Sequence, residues 1–351
     1  MSWRRTDAFD AYGDWDEDAV RVRPNPKGNR PRTKERPAHE TAVPGRVLTV
    51  DRGRFTVLVD EDGPAERTVT AARARELGKL AIVTGDMVDL VGDLSGEEGT
   101  LARVVRIGER RTLLRRSADD TDQLERVIVA NADRLFIVAA TTQPEPRPRL
   151  IDRTIVAAID AGIEPALVLT KTDLKPADEL RALVEPLGVP VFESRRDEPP
   201  IARLIPELVG RVTVLVGHSG VGKSTLVNAL VPDAERETGH VNDVTGRGRH
   251  TSSSSYALRV EDEDGETGWI IDTPGVRSFG LGHVELGSLL KGFPDLAAIA
   301  AECPRGCTHR VDAPDCELDE ALADGRLPES ARERVDSYRR LLASAEGAAR
   351  G

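Results

Sequence analysis

Gly217-His218-Ser219-Gly220-Val221-Gly222-Lys223-Ser224 satisfies the spacing G-x-x-x-x-G-K-[ST], a pattern suited to cradling nucleotide phosphates. Its glycines let the chain turn tightly, so that successive N–H groups as far as Thr225 converge on phosphate oxygens. A helix starting there adds a favourable dipole. Lys223 has the charge and reach for the β- and γ-phosphates, and the Ser224 hydroxyl suits magnesium. Further on, Trp269-Ile270-Ile271-Asp272-Thr273-Pro274-Gly275 ends in D-x-x-G. There the Asp272 carboxylate would hold magnesium, directly or through water, and the Gly275 N–H would sense the γ-phosphate. Between these stretches, Gly246 to Ser255 is polar and glycine-rich. A segment closing over the terminal phosphate belongs there, with Thr251 or Ser252 as a second hydroxyl ligand. The implied ligand is a nucleoside triphosphate with Mg2+.

Thr170-Lys171-Thr172-Asp173 comes directly after an apolar run. A Lys at a strand end with an Asp two residues on resembles the NKxD base-reading motif of GTPases, with Thr170 in the Asn position. The Asp173 carboxylate matches the ring N–H and exocyclic amino group of guanine. Adenine presents neither in that arrangement, and a wrong pairing strands a charge. The Lys171 stem would lie over the base. Ser194 is expected to open the loop that meets the guanine carbonyl, although Ser194-Arg195-Arg196 is only loosely similar to SA[KL]. TKTD weighs against an ATPase or kinase.

These residues need a sheet to hold them. Val212 to Val216 reads as a buried strand and Thr225 to Leu230 as a helix. Upstream, Asp133 to Ala140, Glu164 to Thr170 and Val189 to Glu193 read as strands. They alternate with helices over Leu150 to Ala161, Pro176 to Leu187 and Pro200 to Leu208. Such alternation predicts an α/β domain with a parallel sheet. Before it, Gly45 to Val50, Arg54 to Val59, Glu66 to Val69, Met87 to Val91 and Gly99 to Ile107 are short β runs between turns. They predict a small β-barrel, an OB-fold first, which serves oligonucleotide binding and a purely structural role equally well. The motif order is TKTD, then GHSGVGKS, then DTPG, whereas ordinary GTPases place the phosphate loop first. The expected domain is therefore circularly permuted, and the chain beyond DTPG is tethered to the segment that moves on hydrolysis.

That part of the chain carries Cys303, Cys307, His309 and Cys316, which include all three cysteines of the protein. Three thiolates and an imidazole make a closed tetrahedral zinc set with no open position. Otherwise they are three buried cysteines beside a surface histidine. Helices over Leu318 to Ala323 and Ser330 to Ala345 are expected next, docking on RNA or on the nucleotide domain. The 351 residues allow two or three domains, and 39% hydrophobic with 31% charged residues is ordinary for a soluble protein. No apolar run approaches the roughly 18–20 residues of a membrane span, and the N-terminus lacks a secretory core, so a cytoplasmic setting is expected. The net charge of −11 lowers the expectation of a nucleic-acid partner, but phosphate binding needs only a local basic surface. Residues 1–40 have no periodicity and read as a disordered arm, acidic and then basic, suited to RNA phosphates or to solvation alone. The expected layout is arm 1–40, OB-fold 41–112, permuted GTPase domain 113–290 and a mainly helical zinc-binding domain 291–351.

Together NADRLFIV, TKTD, GHSGVGKSTLVNAL, GRGRHTSS, DTPGVRSFGL and C-x-x-x-C-x-H-x-x-x-x-x-x-C resemble the RsgA (YjeQ) family of circularly permuted GTPases, over residues 43–345. The resemblance implies an OB-fold, a GTPase and a zinc domain. It implies GTP hydrolysis stimulated by the small (30S) ribosomal subunit during its late maturation, contact with 16S rRNA, a monomer, and release after hydrolysis. A GTP-gated binding module with incidental turnover is the alternative. The chain departs from the pattern in having three residues between the first cysteines and six after His309, a serine run after Thr251, and the arm itself. Val276 comes after Gly275 and cannot orient water. The resemblance implies that His250 does so, with Lys223 and Asp272 completing the catalytic set.

Overall fold

Short β-branched runs punctuated by turns build the first part of the molecule. The computed structural model describes residues 39–78, 80–117, 125–232, 255–274, 286–329 and 331–349. Residues 1–38 of the expected arm, and His250, Thr251, Ser252, Gly275 and Val276, lie outside the described residues. Five strands come first: β1 (Val43–Asp51), β2 (Arg54–Val59), β3 (Arg67–Arg73), β4 (Met87–Gly92) and β5 (Ala102–Ile107). Strand β1 pairs with both β2 and β4, and β5 lies between β3 and β4, so the ring closes as an OB-like barrel. Alternate residues fill it, among them Val47, Phe55, Val57, Leu90 and Val104. Arg110 holds the fully buried Asp86 at 2.6 Å beneath the start of β4.

A hairpin of β6 (Leu113–Ser117) and β7 (Glu125–Ala130) leads out of the barrel. The α/β part then runs β8 (Arg134–Ala140), α1 (Pro148–Asp160), β9 (Glu164–Thr170), α2 (Asp178–Val184), β10 (Val191–Ser194), α3 (Ile201–Leu208), β11 (Val212–Gly217), α4 (Lys223–Leu230), β12 (Tyr256–Glu261) and β13 (Thr267–Asp272). Its strand order is β10-β9-β8-β11-β13-β12, parallel except for β12. Successive residues of β8 face opposite ways. Phe136 and Val138 pack with Leu204, Leu208 and Leu226 of α3 and α4, while Leu135 and Ile137 pack with Ile155 of α1. The expected helix to Leu187 is α2 continued by a 3-10 turn, Glu185–Leu187, because Pro186 has no N–H to extend the α-helical ladder. Helix α1 starts two residues earlier than expected, with Pro148 at its first position, where a missing donor costs nothing.

One ladder contact, Thr49 opposite Tyr256, joins barrel and sheet. Beside it the Trp269 ring lies under the guanidiniums of Arg46 and Arg259, at 5.6 and 5.1 Å. Its Nε1 donates to Glu61 at 2.7 Å. Beyond a 3-10 turn (Leu286–Gly292) come α5 (Pro294–Ala300), α6 (Glu317–Ala323) and α7 (Ala331–Ala349). Of the two docking faces expected for the last helix, the structure shows the nucleotide domain. Tyr338, Leu341 and Leu342 of α7 share a core with Ile155 and Ala158 of α1. Among the described residues, no helix is long and apolar enough to cross a membrane.

Candidate functional site

Every parallel strand of the sheet delivers its last residue to one edge. Strand β8 ends at Ala140, β9 at Thr170, β10 at Ser194, β11 at Gly217 and β13 at Asp272. Thr170 is in register with both Ala140 and Ser194, and Asp272 with Leu215. Open α/β sheets bind ligands outside that edge. A cleft of about 550 Å³ opens there, lined by Thr170, Lys171, Ser194, Arg195, Arg196, Pro199, His218 to Gly220 and Gly222 to Leu226. That is a volume for one small ligand.

The phosphate loop forms because β11 must turn at once into α4. Gly217 lies against β8 so closely that a Cβ would stand 2.6 Å from the Val138 carbonyl oxygen. Gly220 and Gly222 adopt φ of 82° and 95°, the left-handed region that other residues avoid. Helix α4 starts at Lys223, so the first-turn N–H groups lack helical partners. Ser219, Gly220, Ser224 and Thr225 are exposed or half-buried at the cleft, whereas Val221 is buried beneath the loop. The His218 ring donates to the Ser219 carbonyl at 3.0 Å.

Lys223 and Asp272 are nearly buried and paired. The Lys223 ammonium donates to Asp272 Oδ1 and, at 2.6 Å, to the Thr273 carbonyl. Asp272 Oδ2 accepts the Tyr256 phenol at 2.8 Å. Burial, then the Asp272 charge and this hydrogen bond, push the Tyr256 pKa well above its ordinary value, so the phenol remains a donor. The Asp272 carboxylate and the Ser224 hydroxyl are hard oxygen donors, a chemistry that fits magnesium rather than a thiophilic ion.

The base-reading stretch approaches from β9. The Thr170 hydroxyl donates to the Val221 carbonyl, joining the two loops. Lys171 takes φ of 61°, a strained region costing of order 1 kcal/mol that gathers at ligand clamps. Its ammonium crosses to the carbonyls of Gln143 and, at 2.9 Å, Gly220. The Thr172 hydroxyl donates to the Ser194 carbonyl at 3.4 Å. Asp173 is exposed beside the cleft and accepts the Arg196 N–H at 3.4 Å. Tyr256 and the acceptor carbonyl of Gln143 belong to the site but to none of the sequence motifs. A tyrosine after a serine run carries no signal, and carbonyl positions depend on backbone path alone.

The second cluster gathers at the other sequence end. Ligand atoms of Cys303, Cys307, His309 and Cys316 all lie within 4.8 Å of one another. The His309 Nδ1 stands 3.6 Å from the Cys303 sulfur and 3.9 Å from that of Cys316. A tetrahedral ion with bonds of about 2.0–2.3 Å separates its ligand atoms by roughly 3.5–3.8 Å, so the four fit one metal ion. Burial, then the Arg339 charge, lowers the His309 pKa and favours the neutral imidazole that ligation needs. Burial also pushes the Cys303 thiol up to about 11, and a cation among the sulfurs would reverse this. Arg339 braces the loop from α7, donating to the His309 carbonyl at 3.0 Å and to Asp319 at 2.7 Å.

A family model described as RsgA GTPase matches residues 107–282. The small ribosomal subunit biogenesis GTPase RsgA of Paraburkholderia xenovorans (strain LB400) is 37% identical over 327 residues, 90% of this chain and 97% of that protein. Its namesake from Pseudomonas aeruginosa (strain LESB58) is 39% identical over 272 residues, 75% of this chain and 76% of the relative. The crystal structure of YloQ, a circularly permuted GTPase, has the same fold, with a TM-score of 0.60 and 24% identity over 88% of this chain and 97% of that one. YjeQ from Thermotoga maritima gives 0.58, also at 24% identity, over 87% of this chain and 99% of that one. With likeness of this extent, and with three motifs in rotated order meeting at one sheet edge, the chain belongs to the RsgA GTPase family.

Proposed function

We propose that this GTPase acts in late maturation of the small ribosomal subunit, binding that subunit with GTP and leaving after hydrolysis. Its relatives carry the name small ribosomal subunit biogenesis GTPase. The observation that carries the reading is the convergence of Thr170, Ser194, Gly217 and Asp272 at one strand edge.

In this reading GTP lies across the cleft, with the guanine between Lys171 and Ser194 and its N–H groups on Asp173. Gly217 to Thr225 surround the phosphates. Lys223 exchanges Asp272 for the β- and γ-phosphates. Ser224, Asp272 and Thr251 or Ser252 would hold magnesium, which would neutralise charge on the phosphoryl oxygens. Gly275 senses the γ-phosphate, and His250 positions water once the ribosome orders its loop. The apolar Val276 cannot supply that function, so unaided turnover is slow. Cys303, Cys307, His309 and Cys316 would hold one structural zinc ion. The barrel and zinc-binding segments contact 16S rRNA, and the protein works as a cytoplasmic monomer with domains at 41–112, 113–290 and 291–351.

Measuring GTP turnover with and without purified 30S subunits tests this. Stimulation of at least about tenfold is expected, from the 10³–10⁵ that a supplied group gives other GTPases, with most of it lost in His250→Ala. No stimulation, or equal use of ATP, would overturn the reading.

A further inference from the structure

Tyr256 belongs to none of the motifs, yet it grips the carboxylate at the centre of the site. We propose that Tyr256 is a positioning residue for the divalent cation, its phenol locking Asp272 so that Oδ1 is the oxygen left for the metal. The proposal rests on the reading of Asp272 as a magnesium ligand and extends it to a residue outside the motifs.

The two carboxylate oxygens have different partners. Oδ2 accepts the phenol at 2.8 Å, whereas Oδ1 accepts Lys223. When Lys223 moves to phosphate, only Oδ1 is vacated, and Oδ2 stays held. An aspartate without the phenol turns freely about its last torsion and offers either oxygen, freedom that cation binding must then remove. Hydrogen bonds behind a ligating carboxylate commonly serve this purpose.

The phenol itself has a fixed origin. Tyr256 is paired directly opposite Asp272 on β13 and opposite Thr49 on barrel strand β1. The preceding carbonyl, that of Ser255, accepts the Thr84 hydroxyl at 3.1 Å. The Tyr256 ring packs against the core that contains Phe136, Leu215 and Val260. Barrel and sheet therefore both anchor the residue opposite Asp272.

Tyr256→Phe keeps the ring and removes the hydroxyl. Binding of a fluorescent GDP analogue is titrated against Mg2+ for the wild type, Tyr256→Phe, Asp272→Asn and the double variant. In Tyr256→Phe the magnesium concentration for half-maximal tightening should rise roughly five- to twentyfold. Affinity in EDTA should stay unchanged, and the substitution should not alter the magnesium response in the Asp272→Asn background. A wild-type magnesium dependence in Tyr256→Phe sinks the proposal. An equal loss of affinity in EDTA would do so too, making the phenol part of the pocket wall, as would an equal effect in the Asp272→Asn background. A wild-type protein indifferent to magnesium would instead remove the cation reading of Asp272, and the Tyr256 proposal with it.

Discussion

Lys223 and Asp272 satisfy one another across the site, and a phosphate group and a cation would divide them. Such an exchange keeps two nearly buried charges paired throughout, since an unpartnered charge at this depth costs several kcal/mol. Thr170 is committed differently: its one proton goes to Val221, so it ties the base-reading stretch to the phosphate loop. In the proposed reading, base choice then falls on Asp173. Its two acceptor oxygens suit the N–H groups of guanine, whereas an amide there would offer a donor to the carbonyl that xanthine carries in place of the amino group. We expect Asp173→Asn to weaken GTP by at least about 100-fold while favouring xanthosine triphosphate. Competition of the two nucleotides against a fluorescent analogue measures this, and an unchanged preference for GTP would remove Asp173 from base recognition.

Helix α1 packs the sheet on one side and α7 on the other, and its Asp152 meets Arg340 of α7 at 3.3 Å. Burial raises the Asp152 carboxyl above its ordinary value, and the Arg340 charge only partly opposes it. The folded protein therefore keeps that proton to higher pH than the unfolded chain does, and stability falls as pH rises through this window. Asp152→Asn abolishes the cost. Its melting temperature should exceed that of the wild type by about 1–3 °C at pH 7, and the gap should close below about pH 4. A variant less stable at pH 7 would show that the ion pair outweighs burial. Elements of this region were legible where an apolar period ran unbroken, as in Glu164 to Thr170, which forms β9 residue for residue. The hairpin strand β12 was not among the expected strands, although Asp262 and Gly265 signal its turn. The Asp262 carboxylate accepts the N–H groups of Asp264 and Glu266 at 3.0 and 2.9 Å, and Gly265 takes φ of 84°. Helix α5 was equally readable from Pro294 at its first position and Asp295 in its first turn.

Across the whole molecule, the nucleotide sheet is held from two ends. The barrel grips β12 and β13 through Trp269, Glu61 and the pair of Glu66 with Arg259 at 2.6 Å. The Cys303 to Cys316 loop gathers four side chains that could hold one metal ion, and Arg339 from α7 braces it. Metal binding at such a set contributes about 10–16 kcal/mol in small peptides, more than the short helices beside it can supply. Removing the ion with a chelator should therefore open 303–316 to protease and loosen α6. Nucleotide binding should survive, because none of these ligands lines the cleft. Proteolysis patterns and fluorescent-nucleotide binding, measured with and without chelator, check both halves. Unaltered proteolysis would mean that the cluster carries no structural metal.

The residue order alone determined the phosphate loop, the rotated arrangement of motifs, the close spacing of Cys303, Cys307, His309 and Cys316, and the alternation that makes the sheet. Each is a local property, set by backbone geometry and side-chain period over a few residues. Only the tertiary structure decided which partners those residues take: Lys223 with Asp272, 49 positions away, and Trp269 with Glu61, 208 away. It also decided that Tyr256 stands behind the carboxylate, and that α7 covers α1. Partners so distant in the chain are chosen by strand register and by the closing of a shared core, which no short window of sequence contains.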